Sequence, residues 1–291
     1  GRSEETVIIS EEVMKELESK MTMTNGPSVD AVESVVKAMN KWEPMSECVP
    51  LFFVMRIIAL HAPTVLSIKD IPDQLIHGLS RALLPSSSTS SSSSTASTTT
   101  TTTTTTNINN GERTCKLLGF ACCSNMFSSP QGASFMASKP MIEVALKSSL
   151  SSLKTNDVGM REMASAVVHN YCALVPELLD EETSAEISKQ IAAALIEPHE
   201  GEDVGVGKGA EAEYRMMMAL GRLVKQQSTS SSSSTSSSSS SQQHKQQTII
   251  EYVTSNESLQ AFLIARGADP LPEFPRIPKL ASELCQIIFF P

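Results

Sequence analysis

Between Asp157 and Val175, apolar side chains return every third or fourth position: Met160, Met163, Ala164, Val167, Val168, Tyr171 and Leu174. That is the period of a helix buried along one face, not the alternation of a strand. Pro176 closes the segment. The next segment opens on Asp180, Glu181, Glu182 and Thr183, acidic and capping residues suited to a helix N-terminus. It then carries Ile187, Ile191, Ala194 and Leu195 on one face as far as Pro198. Together the two predict a helical hairpin. Similar segments run roughly from Ser28 to Trp42, Glu47 to His61, Pro72 to Leu84, Arg113 to Phe127, Pro140 to Leu153, Ala210 to Lys225 and Ile277 to Phe290, separated mostly by Pro, Gly, Asn or Ser. No strand-like run of comparable length appears. The pattern predicts an all-α solenoid of stacked hairpins, whose concave face can cradle an extended peptide.

Two helices depart from the one-faced pattern. Leu51–His61 is apolar nearly all round, with Arg56 as its one permanent charge, and should be sandwiched between layers. The stretch from Tyr214 to Val224 has the same character and carries Arg215 and Arg222. A guanidinium in such a helix cannot shed its charge, so it needs a carboxylate, carbonyl groups or an open groove. Each arginine either snorkels or pairs with a nearby acid, or lines a binding groove.

Composition changes the picture at two places. From Ser86 to Thr106, and again from Ser228 to Ser241 into a Gln, His and Lys tail, the chain is almost wholly Ser and Thr. Such tracts bury too little apolar surface to offset their ordering entropy and are expected to be flexible loops, at 86–110 and 228–247. Closing a long loop costs only about (3/2)RT ln n, so both read as insertions in one elongated domain spanning 28–290, after an N-terminal extension at 1–27. The hydrophobic share of 40% suffices for a core, and aromatic residues make up only 4%, as suits helix-on-helix layers.

Charge and candidate chemistry narrow the function. A formal charge of −9 argues against nucleic-acid binding, except through a local basic groove. No run reaches the roughly 18 uninterrupted apolar residues of a membrane span, and no leader pattern opens the chain, so a soluble, unsecreted protein is expected. The six cysteines, Cys48, Cys115, Cys122, Cys123, Cys172 and Cys285, have neither zinc-site nor disulfide-scaffold spacing and read as reduced core thiols. Vicinal Cys122 and Cys123 with His169 are a weak candidate for a nucleophile. The stretch Gly201–Gly209 imitates a phosphate loop, but Glu202 stands where the first glycine belongs, Gly209 stands where Ser or Thr should hold magnesium, and no strand precedes it. The five histidines show no metal-ligand spacing. No cofactor, metal, small-molecule ligand or enzymatic activity is expected.

Arg56 within VMRIIALHAP, Asn125 within CCSNMF, Asn170 and Tyr171 within VVHNYCAL, and Arg215 within EAEYRMMMALGRL follow one another in the order and spacing of the PUL domain. The chain resembles that family from roughly Ser28 to Phe290, outside the Ser/Thr tracts. The PUL domain is the C-terminal module of the phospholipase-activating protein and its fungal counterparts, and is also attached to thioredoxin-like and thiol-peptidase domains. The resemblance implies an armadillo-type fold of about six repeats. It also implies a basic groove that binds the C-terminal tail of valosin-containing protein, the AAA ATPase that extracts ubiquitinated proteins, and hence a cytoplasmic or nuclear location.

By the same resemblance Arg56 and Arg215 match groove arginines. Asn125 and Asn170 either hold peptide backbone or bridge adjacent helices. His61 also matches a family position, although a histidine at a helix end before Ala-Pro reads as structural. Ala121 stands where some relatives carry a basic side chain, and His-Ala-Pro replaces a usual His-Pro. The first residues, Gly1-Arg2-Ser3-Glu4, do not read as a native start. A second reading is therefore an accessory domain of a larger thiol-peptidase or thioredoxin-like enzyme, and a third is a helical scaffold with another ligand.

Overall fold

The first helix among the described residues, α1 (Val29–Lys41), is set at both ends by the residues that the sequence marks. The Ser28 hydroxyl accepts from the Ala31 amide at 3.3 Å, satisfying one of the donors that a helix start leaves without a partner. Trp42 leaves in extended backbone. At the other end Arg81 reaches back and donates to the carbonyls of Met39 and Trp42, both at 2.6 Å, and to the Glu43 carboxylate at 2.8 Å. A cation on the last carbonyls of a helix satisfies them and opposes the helix dipole. The computed structural model describes residues 26–43, 45–84, 102–174, 179–197, 209–232, 249–268 and 274–289. Among them every regular element is helical, and there is no strand. The expected N-terminal extension, up to residue 25, lies outside them, as do residues 86–101 of the first Ser/Thr tract, 233–241 of the second and 201–208 of the glycine-rich stretch.

The chain divides into two compact units, Gly1–Ala145 and Leu146–Pro291, and the division falls in neither Ser/Thr tract. In the first unit, a 3-10 turn (Met45–Cys48) leads into α2 (Val49–Ile58), a second 3-10 turn (Ala59–His61) and α3 (Ala62–Leu66). Pro50 and Pro63 stand in the first turns of α2 and α3, where the missing N–H has no partner to lose. By length and composition Met45–Leu66 is apolar enough to cross a membrane. Leu51, Phe52, Val54, Met55 and Ile58 are buried, and α2 packs on α1 and on α5 (Thr102–Met126). The expectation that this helix is covered all round is corrected by Phe53 and Leu60, which are 48% and 50% exposed.

Helix α4 (Ile71–Leu83) packs against α1 and α5. Then come α6 (Pro130–Met136) and α7 (Lys139–Met141), which runs on as the π-helical turn Ile142–Leu146. The sequence pattern missed α6. It is a seven-residue helix rich in small residues, and its signal is the start, where the Ser129 hydroxyl accepts from the Gly132 amide just before Pro130. Gly132 is required by sterics: a Cβ there would lie 1.9 Å from the Met126 carbonyl oxygen.

The second unit contains α8 (Lys147–Ser152), α9 (Val158–Leu174), α10 (Glu181–Ile196), α11 (Ala210–Ser232), helical residues 249–255, α12 (Glu257–Ala268) and α13 (Arg276–Phe289). The predicted hairpin segments are α9 and α10. Met160, Ala164, Val167, Val168 and Tyr171 are buried, and the Asp180 carboxylate accepts from the Thr183 amide at 2.7 Å, which holds that carboxyl below the usual carboxylate range. Helix α11 packs on α9, α10 and α13, and α12 packs on α13. Arg266 of α12 engages both Glu213 oxygens, at 2.9 and 3.0 Å, fastening α12 to α11.

Two helices run further than their apolar pattern. Helix α5 begins at Thr102, inside the stretch read as a loop to residue 110 and well before Arg113, and α11 continues through Ser228 to Ser232. Ser, Thr and Asn cost only roughly half a kcal/mol each in a helix interior, and neither extension contains a proline. A helix already nucleated by its buried half therefore propagates into them.

Candidate protein-binding residues

Arg56 sits in the last turn of α2, on the side of that helix that the core leaves open. Positions 53, 56 and 60 are three and four apart, so Phe53, Arg56 and Leu60 share one face. The guanidinium lies 5.0 Å from the Phe53 ring centroid, a cation–π contact. Among the described residues no carboxylate pairs with it and no acceptor takes its N–H groups. The result is a charged fork on an apolar, half-exposed stripe. Phe53 and Leu60, which the sequence reading assigned to the core, are the part of this surface it missed; the signal was their spacing around Arg56.

Asn125 lies in α5, and its Nδ2 donates to the backbone carbonyl of Arg56 at 2.6 Å. Here the bridging reading is what the geometry holds. Asn125 ties α5 to the last turn of α2, where a helix has carbonyls to spare, and so fixes the backbone that carries Arg56. His61 is exposed at the end of the 3-10 turn, with its ring beside Gly26.

Arg215, in the first turns of α11, is differently placed. One Nη donates to the Glu162 carbonyl of α9 at 2.9 Å, and the other meets the Glu211 carboxylate one turn back at 2.8 Å. Its side chain remains 30% exposed. Two turns further along α11, Arg222 is exposed and has no hydrogen-bond or ion-pair partner among the described residues. On α9, Asn170 hydrogen-bonds the His169 side chain. Burial, then the charges of Arg222 and Arg215, hold His169 below its ordinary value despite that bond. Of the expected site residues, the structure brings Arg56 and Asn125 together in the first unit, and Arg215 and Asn170 line one helix pair, α9 and α11, in the second.

The PUL domain family model matches residues 3–261 of this chain. The chain belongs to the PUL domain family. The match covers most of the sequence, starts within the stretch expected to be an N-terminal extension and stops inside α12. The all-α, armadillo-type fold expected from the resemblance is the one this PUL domain has, and the family is a protein-interaction domain. Among curated proteins, none matches the chain.

Enzyme-like features of the PUL domain take structural places. Cys122 and Cys123 are fully buried in α5, and burial pushes the Cys123 thiol up to about 12 and the Cys122 thiol well above its ordinary value. Such thiols carry almost no thiolate at neutral pH. Gly209, the last residue of the glycine-rich stretch, has φ of 83° and leads directly into α11, a left-handed position that glycine adopts without strain. No group of three or more His, Cys, Asp or Glu side chains among the described residues could hold a metal ion.

One buried charge was not foreseen. Arg161, in the first turn of α9, is only 2% exposed, and its Nη1 donates to the Thr155 carbonyl at 2.8 Å. It looks like a surface residue in the sequence, yet its guanidinium reaches back to the turn preceding its own helix.

Proposed function

We propose that this PUL domain binds the C-terminal tail of valosin-containing protein, as an adaptor in ubiquitin-dependent degradation, in the cytoplasm or nucleus. The observation that carries the reading is the unpaired guanidinium of Arg56 between exposed Phe53 and Leu60. A tail that combines acidic residues, an aromatic ring and a free carboxylate matches such a surface in both chemistries. The fork holds a carboxylate through two parallel N–H bonds, and the apolar flanks take the ring. Arg215 belongs to the same reading as a second cationic position, and Asn170, on α9, as a side-chain amide for the peptide backbone. Asn125 serves it indirectly, by setting the backbone of Arg56.

The direct test is titration of a fluorescent peptide carrying the tail sequence into the whole chain. Micromolar binding that weakens steadily with added salt is expected, since the contacts are partly exposed ion pairs. An amidated C-terminus should bind more weakly than the free carboxylate. Absence of binding at millimolar protein would overturn the assignment of this partner and leave the family's general role in protein interaction.

A further inference from the structure

We propose that Arg222 is a peptide-binding residue of the second unit, receiving a carboxylate of an acidic partner peptide at the C-terminal half of the α9–α11 seam. The inference rests on the functional reading above and adds a residue to it.

Three observations place Arg222 there. Arg215 already spends both ends of its fork within the unit, on the Glu162 carbonyl and the Glu211 carboxylate. An incoming carboxylate has to compete with Glu211, which is tethered one turn away on the same helix and so present at high effective concentration. Arg222 stands seven residues on, close to two full turns, and therefore on the same face of α11. Its side chain is exposed and carries no partner among the described residues.

The second observation is the distribution of acids. On α11 the acids are Glu211 and Glu213, both in its first turn, and none follows as far as Ser232. Glu211 is paired with Arg215 and Glu213 with Arg266. On α9 the one acid is Glu162, two turns before His169. On α10 the acids, Glu181, Glu182 and Glu186, stand in its first half, and on α13 Glu283 lies near Lys279. The far half of the seam therefore carries Arg222 with no carboxylate on either helix. In a chain with a formal charge of −9, that local excess of positive charge is complementary to an acidic peptide.

The third observation is the field itself. Charge on Arg222 acts on His169 and on the buried thiol of Cys172, both on α9, in agreement with the face that its spacing from Arg215 assigns it. His169 is half-buried, and burial holds it below its ordinary value.

The test compares Arg222→Gln with Arg215→Gln in the full chain, using the fluorescent tail peptide with a free carboxylate and its amidated form. Arg222→Gln should weaken binding tenfold or more at low salt and flatten the salt dependence, with circular dichroism unchanged because the side chain holds no other element. Arg215→Gln should weaken it less. In parallel, the His169 ring is titrated by NMR. Peptide binding should raise its pKa in the wild type by neutralising the arginine beside it, and should leave it unmoved in Arg222→Gln. Wild-type binding with an unaffected Arg222→Gln variant and a stationary His169 would overturn this assignment alone. No wild-type binding would overturn the tail-binding reading and this residue with it. Equal loss for free-carboxylate and amidated peptides assigns Arg222 to a side-chain carboxylate of the partner, whereas loss confined to the free form assigns it to the terminal one.

Discussion

Replacing Arg56 with alanine should weaken tail-peptide binding about 10- to 100-fold while leaving the helical circular dichroism and the denaturation midpoint nearly unchanged. A charge-assisted, bidentate pair contributes roughly 1.5–3 kcal/mol, and each 1.4 kcal/mol is a tenfold change in affinity. The fold is spared because the guanidinium makes no hydrogen bond or ion pair among the described residues. The group of Arg56 that the structure uses is its backbone carbonyl, which accepts from Asn125 and survives the substitution. Lysine should recover only part of the affinity, since an ammonium has neither the planar fork nor the same fit over the Phe53 ring. Fluorescence anisotropy at two salt concentrations checks both variants against the wild type. An Arg56→Ala protein that binds as tightly as wild type would move the binding surface off α2.

Gly132→Ala is expected to cost the first unit more than about 4 kcal/mol, or to prevent it from folding. In an ordinary helix interior the same change gains close to 1 kcal/mol, so the sign is diagnostic. The new methyl would sit 1.9 Å from the Met126 carbonyl oxygen, 2.8 Å from its carbon and 3.0 Å from the Ala62 Cβ. Two of those atoms are backbone at the end of α5, which cannot turn aside as a flexible side chain can. Gly267→Ala is the comparison. Its nearest obstacle is the Ser282 hydroxyl at 2.9 Å, a group that can rotate away, so its loss should be slight. Urea denaturation of both variants measures the difference; equal midpoints would mean that α5 and α6 separate at little cost.

Most of the helical framework was legible because its signals are local. Ser28 and Trp42 bound α1 in the sequence as they do in the structure, and the hairpin segments 157–175 and 180–198 are α9 and α10. What failed lacked a local signature. Helix α12 buries only Leu259 and Leu263 and leaves Ile264 exposed, so its pattern is too thin to count. The start of α5 in the threonine tract is propagation from a buried half, which composition does not announce. At the candidate site, the charges themselves were readable as arginines in apolar helices. Their states were less so. The Glu211–Arg215 pair has helical spacing and could have been read from it. The solitude of Arg56 depends on which acids the fold brings across space, and the burial of Arg161 depends on how a turn folds back; neither is written in the neighbouring residues.

The cysteines give the chain an internal clock. Cys115, Cys123 and Cys172 are buried, with thiols pushed up to about 12, so in the folded protein they are withheld from alkylating reagents twice over, by access and by ionisation. Two of them lie in the first unit and one in the second. Each reacts only when its own surroundings open, so the rate at which a reagent marks each sulfur reports the breathing of its unit separately, without any introduced label.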